Sequence, residues 1–307
     1  MMFARKFSID ATDPFDFDLT ASIFRNGDNQ IRSYTDAIFR QVIELGDKLV
    51  LIELKSKGTK EHPRIEGELK SNRSLNSKDV EETQKTAKFI FNLDLNLNLF
   101  YQETKNDSVM SRLIKQLYGL KNPTTPTVFE SLVDSIIEQQ ISIKVAISLE
   151  ERLTKKYGDL LELEGNAFFA FPTPKNLSAI NVDEIQATGL TRRKAEYIKG
   201  AAELIANDKL DLESLKMEDD FEGIIQKLDE IRGIGVWTAE LTMLRGMQKL
   251  EALPADDLGI RRVISKYYCG GKPVNTVEAR QIAQRWGRWK GLAAFYLIMA
   301  EIKEIAL

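Results

Sequence analysis

The chain has 307 residues, 43% hydrophobic and 29% charged, so it is long enough for two or three domains with sizeable cores. Its net charge of −3 excludes a broad polycation, but not a local nucleic-acid surface. One cysteine and one histidine exclude an internal disulfide and a zinc or iron–sulfur site built from such ligands. Because no long apolar run or secretory signal occurs, we expect no membrane contact and a cytoplasmic location.

The first part of the chain, residues 1–106, has the pattern of an α+β domain. Apolar and β-branched residues, or alternating apolar and charged ones, predict strands over 6–11, 48–54 and 64–69. Asn26-Gly27-Asp28-Asn29 predicts a turn, and Ser77 with acidic residues downstream predicts the start of a helix over 78–91. Residues 92–99 alternate Asn or Asp with Leu, which fits a strand or an extended connector, and we favour the connector.

From residue 107 to the end the apolar residues follow helical spacing, which predicts an all-α region over 107–307. A long helical stretch is interrupted at the polar pair Gln139-Gln140, and Pro172 and Pro174 break the next segment. The Asn122-Pro-Thr-Thr-Pro126 stretch predicts a hinge or linker. The helical patterns cover residues 109–117, 129–158, 191–206, 221–232, 278–286 and 291–305.

Gly233-Ile234-Gly235 joins two helical patterns and predicts a tight hairpin within residues 228–246. Glycine suits a positive φ or the close approach of another backbone. The amides that start the second helix have no internal partners and lie at the positive end of its dipole, so they suit a phosphate. A bare Gly-x-Gly would equally fit an ordinary helix corner. The full Leu-x-x-Ile-x-Gly-Ile-Gly-x-x-Thr-Ala string is more specific.

These motifs resemble the helix-hairpin-helix DNA glycosylases with a Gly/Pro-rich loop and a catalytic aspartate, most of all the alkylpurine branch of the 3-methyladenine glycosylase II type. The resemblance spans nearly the whole chain and is strongest after residue 129. It implies an α+β N-terminal domain followed by an all-α glycosylase domain of two helical subdomains with a cleft between them. The motifs that carry it are Asp13–Leu19, Ile136-Ile-Glu-Gln-Gln-Ile-Ser142, Thr188–Ile198, Gly233–Ala239, Leu244-Arg-Gly246 and Pro254-Ala-Asp-Asp-Leu-Gly-Ile-Arg261.

The resemblance makes Asp257 the catalytic carboxylate. Breaking a base–sugar bond develops positive charge on the deoxyribose, and a fixed carboxylate beside the sugar stabilises that charge and can orient a water molecule. We expect Asp256 to cap the helix that starts at Leu258, or to support its neighbour. Without the hairpin, helix capping alone would explain both acids.

Trp237 stands where related strand-cleaving glycosylases carry a lysine that forms a Schiff base, so the resemblance implies a monofunctional enzyme. A cationic alkylated purine over an indole gains roughly 0.5–2 kcal/mol. Trp237 also fits a core position on the second hairpin helix. Tyr296 is the second predicted base-binding residue, although aromatic residues at such spacing are more often core, and Trp286 and Trp289 are expected to pack.

A flipped base leaves a gap in the duplex that the protein must fill. The resemblance assigns this wedge to Gln140, with Ile141 as the second choice, and an exposed polar helix break is the alternative. Basic runs over 192–194, 261–266 and 285–290 fit phosphate contacts or solvated helix faces equally well. The predicted DNA-binding residues are Gly233, Gly235, Val236, Thr238, Arg261 and Arg262.

We expect no required cofactor, although the resemblance allows a monovalent cation in the hairpin, held by main-chain carbonyls of Ile231, Ile234 or Val236. The expected partner is double-stranded damaged DNA, and the protein is expected to be a monomer, nucleoid-associated if prokaryotic. Three alternatives stay open. They are a glycosylase for oxidised purines such as 8-oxoguanine, a non-catalytic DNA-binding protein that uses the hairpin, and a helical interaction protein.

Overall fold

The computed structural model describes residues 2–305 and begins with a five-stranded antiparallel sheet of order β1-β5-β4-β3-β2. Its strands are β1 (Phe3–Asp10), β2 (Arg32–Thr35), β3 (Ile38–Leu45), β4 (Lys48–Ser56) and β5 (Arg64–Ser71). The helices α1 (Phe17–Ala21) and α2 (Ser77–Ile90) accompany it. The three predicted strands and the turn before β2 are confirmed, whereas β2 and β3 had not been predicted. An aromatic cluster fills this core, with the rings of Phe39 and Phe91 4.9 Å apart.

Two local predictions in this part of the chain are wrong. The cap of α2 is Asn76 rather than Ser77, because the side chains of Asn76 and Asp79 each accept a hydrogen bond from the other residue's amide. The stretch 92–99 contains the start of a short helix, α3 (Leu97–Glu103), which Asn96 caps through the amide of Asn98. An asparagine that alternates with leucine therefore acts here as a helix cap.

Helices dominate the rest of the chain. They are α4 (Ser108–Gln116), α5 (Val128–Glu138), α6 (Ile143–Tyr157), α7 (Pro174–Ser178), α8 (Val182–Gln186), α9 (Arg192–Ala206), α10 (Phe221–Asp229), α11 (Val236–Gly246), α12 (Leu258–Tyr268), α13 (Thr276–Ala283) and α14 (Lys290–Ile302). Single 3-10 segments lie at Ser22–Phe24, Glu213–Met217 and Gln284–Trp289. None of the helices within residues 2–305 combines the length and apolarity needed to cross a membrane.

The prediction of an all-α region needs one correction. A hairpin of β6 (Leu160–Leu163) and β7 (Asn166–Phe169) follows α6, and its Leu161 packs against Val42 and Leu51 of the large sheet. The Asn122–Pro126 stretch is also not an exposed hinge. It is a buried connection, with the amide of Thr124 bonded to the carbonyl of Ile90 at 2.7 Å.

The helices form two separate cores. Residues of α5 to α11 build the first, which includes Ile234 and Ala239 of the hairpin. Residues of α3, α4 and α12 to α14 build the second, which includes Trp286 and Trp289, buried as expected. The hairpin therefore belongs to one core and the helix that follows Asp257 belongs to the other. This arrangement agrees with two helical subdomains.

Candidate active site

The helix-hairpin-helix is present, and glycine occurs at its positions 233 and 235 for different physical reasons. Gly233 has φ +90°, and a Cβ added there would lie 2.3 Å from the ring of Tyr197, so the fold itself requires glycine. Gly235 has φ −97°, and an added Cβ would meet nothing within 4 Å. Since the fold does not demand glycine at 235, the open space in front of it suits the approach of another backbone.

The start of α11 is open to an acceptor from outside. Gly235 is its N-cap and supplies no side-chain hydrogen bond, so no cap side chain engages the first amides of the helix. Val236, the first helical residue, is 43% exposed. The side chain of Thr238 is not available to DNA, because this residue is 2% exposed and its hydroxyl accepts a hydrogen bond from Gln139. Only its main chain can contribute to an external contact.

The helix break between α5 and α6 is anchored by two side chains that sequence reasoning had missed, one from α9 and one that reaches the hairpin. The buried amine of Lys194 donates to the carbonyls of Ile137 at 2.8 Å and Gln139 at 2.6 Å. The Nε2 atom of Gln139 donates to the carbonyl of Gly233 and to the hydroxyl of Thr238, each at 3.0 Å. Lys194 is thus no phosphate contact. It lies one helical turn before the buried Ile198, a spacing that could have revealed it.

The two predicted wedge residues differ in exposure. Gln140 is exposed and has φ +57°, an uncommon conformation for a residue other than glycine. Ile141 is partly buried against the first helical core. Of the two, Gln140 therefore projects from the break without breaking contacts to the core.

Asp257 is the N-cap of α12 and is half-buried. Its Oδ1 atom accepts a hydrogen bond from the amide of Ile260 at 2.9 Å, and no lysine or arginine within residues 2–305 forms an ion pair with it. The expectation that Asp256 caps this helix is wrong. Asp256 is exposed and accepts a hydrogen bond from the hydroxyl of Thr276 at 2.7 Å. The carboxylate of Asp257 is therefore held at one oxygen and has no ion-pair partner among the described residues.

Arg245 links this carboxylate electrostatically to the helix break. Burial lowers the pKa of Arg245, but the charge of Glu138 and its hydrogen bond outweigh burial, so the pKa is raised overall. The charge of Asp257 adds to this rise. Asp257 therefore lies close enough to the last turn of α11 to raise the pKa of Arg245, although Arg245 is already paired with Glu138.

The aromatic predictions have different outcomes. Trp237 is half-buried in the first turn of α11, where part of its ring remains accessible. The base-binding prediction for Tyr296 is wrong, because this residue is fully buried and its hydroxyl donates to the carbonyl of Leu120 at 2.7 Å. The face of α14 toward Asp257 carries Ile298 instead. A Cβ built on Gly259 would lie 2.9 Å from Oδ1 of Asp257 and 3.8 Å from Ile298.

The predicted arginine contacts are partly occupied within the protein. Arg262 forms an ion pair with Glu301 at 2.7 Å, and the hydrogen bond to Glu301 raises the pKa of Arg262. Arg261 is half-buried and donates to the carbonyl of Asp256 at 3.5 Å. An exposed pair such as Arg262–Glu301 contributes little to stability, so a phosphate can compete for this arginine at low cost.

The predicted cation ligands fit in part. The carbonyl oxygen of Ile231 accepts a hydrogen bond from the amide of Ile234 at 3.0 Å within the hairpin turn, and it retains a second lone pair for a cation. The carbonyl of Val236 does not fit, because it lies in the first turn of α11 and helix geometry directs it along the helix axis. Main-chain carbonyls suit a hard cation, so Ile231 and Ile234 stay the predicted ligands.

Two cavities lie elsewhere on the helical part. One of about 380 Å³ is lined by Val236, Glu240 and Arg280, and one of about 350 Å³ is lined by Leu95 and Trp289. Phe221 and Glu251 line both. Neither cavity is lined by Asp257, so neither defines the candidate active site.

Comparison with known proteins places this geometry in a family. The model of the HhH-GPD superfamily of base excision DNA repair proteins matches residues 133–289, just over half of the chain. The protein belongs to this superfamily, and the resemblance inferred from the sequence motifs is confirmed.

Individual relatives agree with this assignment. The chain is 30% identical over 260 residues to a DNA-3-methyladenine glycosylase of Bacillus subtilis, which covers 85% of each protein. It is 28% identical to DNA-3-methyladenine glycosylase 2 of Escherichia coli over 64% of this chain and 65% of that one. Among solved structures, a 3-methyladenine DNA-glycosylase from Archaeoglobus fulgidus superposes with a TM-score of 0.86 at 27% identity, covering 98% of this chain and 100% of the other.

Proposed function

We propose that the protein is a monofunctional DNA glycosylase that flips alkylated, cationic purines such as 3-methyladenine out of duplex DNA and excises them. The observation that carries this proposal is the half-buried carboxylate of Asp257, which has one oxygen fixed by Ile260 and no ion-pair partner within residues 2–305. The names of the relatives in Bacillus subtilis and Archaeoglobus fulgidus support the alkylated-purine substrate.

DNA would be held through its backbone at the start of α11. There the helix dipole and the uncapped amides after Gly235 favour a phosphate, and the open space at Gly235 allows its approach. Gln140 projects from the helix break and would occupy the gap left by the flipped nucleotide. Gln139 fixes the break relative to the hairpin and Lys194 fixes it relative to α9, so the wedge at Gln140 is held close to the surface that would grip the backbone.

Asp257 would act on the sugar. As the bond between C1′ and the purine nitrogen breaks, its electron pair leaves with the base, which neutralises the base and develops positive charge on the deoxyribose. A fixed carboxylate stabilises that charge. Water then adds to C1′ and loses a proton, which yields an abasic site.

Trp237 supports the monofunctional assignment. An indole offers no amine for a Schiff base with the sugar, and its face favours a cationic base. The oxidised-purine alternative draws no support at this position, since that branch normally carries a lysine there. The expected partner is double-stranded damaged DNA. The protein itself is expected to be a monomer and to act in the cytoplasm.

The deciding experiment measures base release from methylated duplex DNA by wild type and by Asp257→Asn. Asparagine caps a helix as well as aspartate does, so the variant should fold normally. Its base release should fall by on the order of 10²–10³ or more, whereas DNA binding is retained. The matched control is Asp256→Asn, which removes the neighbouring exposed carboxylate and should release base at the wild-type rate.

Three results would contradict the proposal. Near-normal base release by Asp257→Asn would remove the carboxylate from the mechanism. A covalent adduct trapped by borohydride on damaged DNA would contradict the monofunctional assignment. Lesion-independent binding with no base release by the wild type would favour a non-catalytic DNA-binding protein.

A further inference from the structure

Three carboxylates meet where the sheet packs against α5 and α6. Glu130 and Asp134 lie one turn apart on α5, and Glu150 lies on α6. One oxygen from each lies within 4.8 Å of the other two. Glu130 is 4% exposed and Asp134 is 8% exposed, and the side chain of Glu150 is 15% exposed. The cluster is therefore almost completely withdrawn from water.

The protein neutralises only part of this charge. Arg32 on β2 binds Glu130 at 2.7 Å and Glu150 at 3.0 Å, so one positive charge faces three negative ones. The neighbouring charges are paired among themselves, Glu138 with Arg245 and Glu213 with Lys216. With all three carboxylates ionised the cluster has a formal charge of −2, and burial raises the pKa of each of them. Burial of uncompensated charge costs several kcal/mol per ion, which favours a compensating ligand.

Asp134 supplies a second and independent observation. Its Oδ1 atom is buried and has no hydrogen-bond partner among the residues that the structure describes. One of its carboxylate oxygens lies within 4.8 Å of an oxygen of Glu130 and of an oxygen of Glu150. Buried polar atoms are almost always hydrogen-bonded, so this oxygen is placed to contact something other than protein.

We propose that Glu130, Asp134 and Glu150 form a calcium-binding site that joins α5 to α6 where they pack against the sheet. A divalent cation matches the formal charge of −2, and carboxylate oxygens are the ligands of hard cations. Arg32 uses only the Oε1 atom of each glutamate, which leaves the Oε2 atoms to the ion. Water molecules would complete the coordination, as is usual for this ion.

The number of carboxylate ligands favours calcium over magnesium, and their spacing admits it. Calcium–oxygen distances of about 2.3–2.6 Å allow opposite ligands to lie up to about 5 Å apart. Magnesium–oxygen distances of about 2.0–2.1 Å limit that separation to about 4.2 Å. The observed oxygens lie within 4.8 Å of one another, which is compatible with calcium. Three protein carboxylates suit calcium better than magnesium, which usually keeps several water molecules and binds through one or two carboxylates.

The proposed calcium site lies next to the break between α5 and α6, so a bound ion would affect how that break is held. Two of the three carboxylates lie on α5, the helix that ends just before Gln139 and Gln140. A bound ion would tie this helix to α6 on the far side of the break. The site does not depend on the glycosylase activity, so either proposal can fail without the other.

The test measures calcium binding by isothermal titration calorimetry and thermal unfolding, using full-length protein stripped with chelator. Wild type should bind one calcium ion per chain and show a saturable rise in Tm, with a smaller response to magnesium. Asp134→Asn should weaken calcium binding at least tenfold and abolish most of the Tm response. Glu150→Gln, at the most accessible ligand, should weaken binding likewise and serves if Asp134→Asn fails to fold. Glu82→Gln removes an exposed carboxylate elsewhere and should bind calcium as wild type does.

A buried proton is the competing explanation for the cluster. In that case calcium leaves the Tm of wild type unchanged, and Asp134→Asn, which resembles the protonated acid in shape, is at least as stable as wild type. This result overturns the proposal. Calcium binding that persists unchanged in both Asp134→Asn and Glu150→Gln, or a stronger response to magnesium than to calcium, overturns it as well.

Discussion

The large sheet and the surface around the hairpin differ in how far their apolar side chains are buried and their charges are paired. In the sheet the apolar side chains are covered, with Phe39 fully buried, and a polar group such as Glu53 is held by both Arg40 and Lys70 at 2.7 Å. Around the hairpin, Val236 is 43% exposed, Leu258 is 74% exposed, and Asp257 between them in the chain has no ion-pair partner within residues 2–305. Exposed apolar groups beside an unpaired acid lower stability and are expected where a ligand binds.

The two regions should therefore respond differently to mutation. Substitutions in the sheet should act on the free energy of unfolding and leave the chemistry of the folded enzyme intact. Substitutions at the hairpin should act on DNA binding and base release with little effect on folding. The following predictions test this separation.

Phe39→Ala should have the largest effect on stability. The ring is fully buried, and its centroid lies 4.9 Å from that of Phe91 and 5.1 Å from that of Phe24. Its removal therefore leaves a cavity that the surrounding sheet cannot fill by relaxing. The free energy of unfolding should fall by about 3–5 kcal/mol, measured by urea denaturation. Base release per folded molecule, measured well below the unfolding transition, should match wild type. A loss of less than about 1 kcal/mol would contradict this account of the sheet core.

Sequence patterns predicted those features of the fold that depend on local order. Strand β5 and the break between α5 and α6 were predicted because alternation and a polar interruption are visible over a few residues. β3 was not predicted, because its apolar residues do not alternate strictly. The hairpin of β6 and β7 was not predicted because its short strands are stabilised by distant contacts with the large sheet.

The candidate site shows the same limit. The motif identified Asp257, but whether Asp256 or Asp257 caps α12 depends on φ and ψ that a motif does not give. The choice of Tyr296 failed because the face that a side chain occupies depends on rotation around the helix, and Tyr296 faces the core. Lys194 looked like a surface charge because its acceptors, two carbonyls at the end of α5, come close only in the folded chain.

Lys194→Met should have an intermediate effect that reaches both stability and activity. The substitution leaves the carbonyls of Ile137 and Gln139 without their donor, which should cost roughly 1–3 kcal/mol. It also frees the helix break that carries Gln140, so single-turnover base release at saturating enzyme should fall further than stability explains. A matched control is Lys199→Met on the same helix, whose amine donates to the carbonyls of Ser178 and Ile180, both at 2.9 Å, away from the break.

Lys199→Met should lose comparable stability and keep its single-turnover rate. If the two variants lose base release equally, Lys194 has only a structural role and does not position the wedge. Urea denaturation and the single-turnover rate together separate these results, because the first reports the anchoring bonds and the second reports the geometry of the break.

The smallest effect on folding is expected for Gly235→Ala, which tests the hairpin surface most directly. At this residue φ is −97° and an added methyl group meets no protein atom within 4 Å, so the free energy of unfolding should change by less than about 1 kcal/mol. The methyl group would occupy the space through which a phosphate approaches α11. Affinity for duplex DNA, measured by fluorescence anisotropy at low salt, should fall roughly tenfold.

Gly233→Ala provides the contrast within the same turn. Its φ is +90°, and the added Cβ would lie 2.3 Å from the ring of Tyr197, so this substitution should be destabilising by roughly 1–3 kcal/mol. A hairpin that only joins two helices predicts that DNA affinity follows stability, so that Gly233→Ala loses more affinity than Gly235→Ala. A surface built to receive a backbone predicts the reverse order for the folded proteins, since only residue 235 faces open space. Wild-type affinity in Gly235→Ala would therefore place the DNA elsewhere on the molecule.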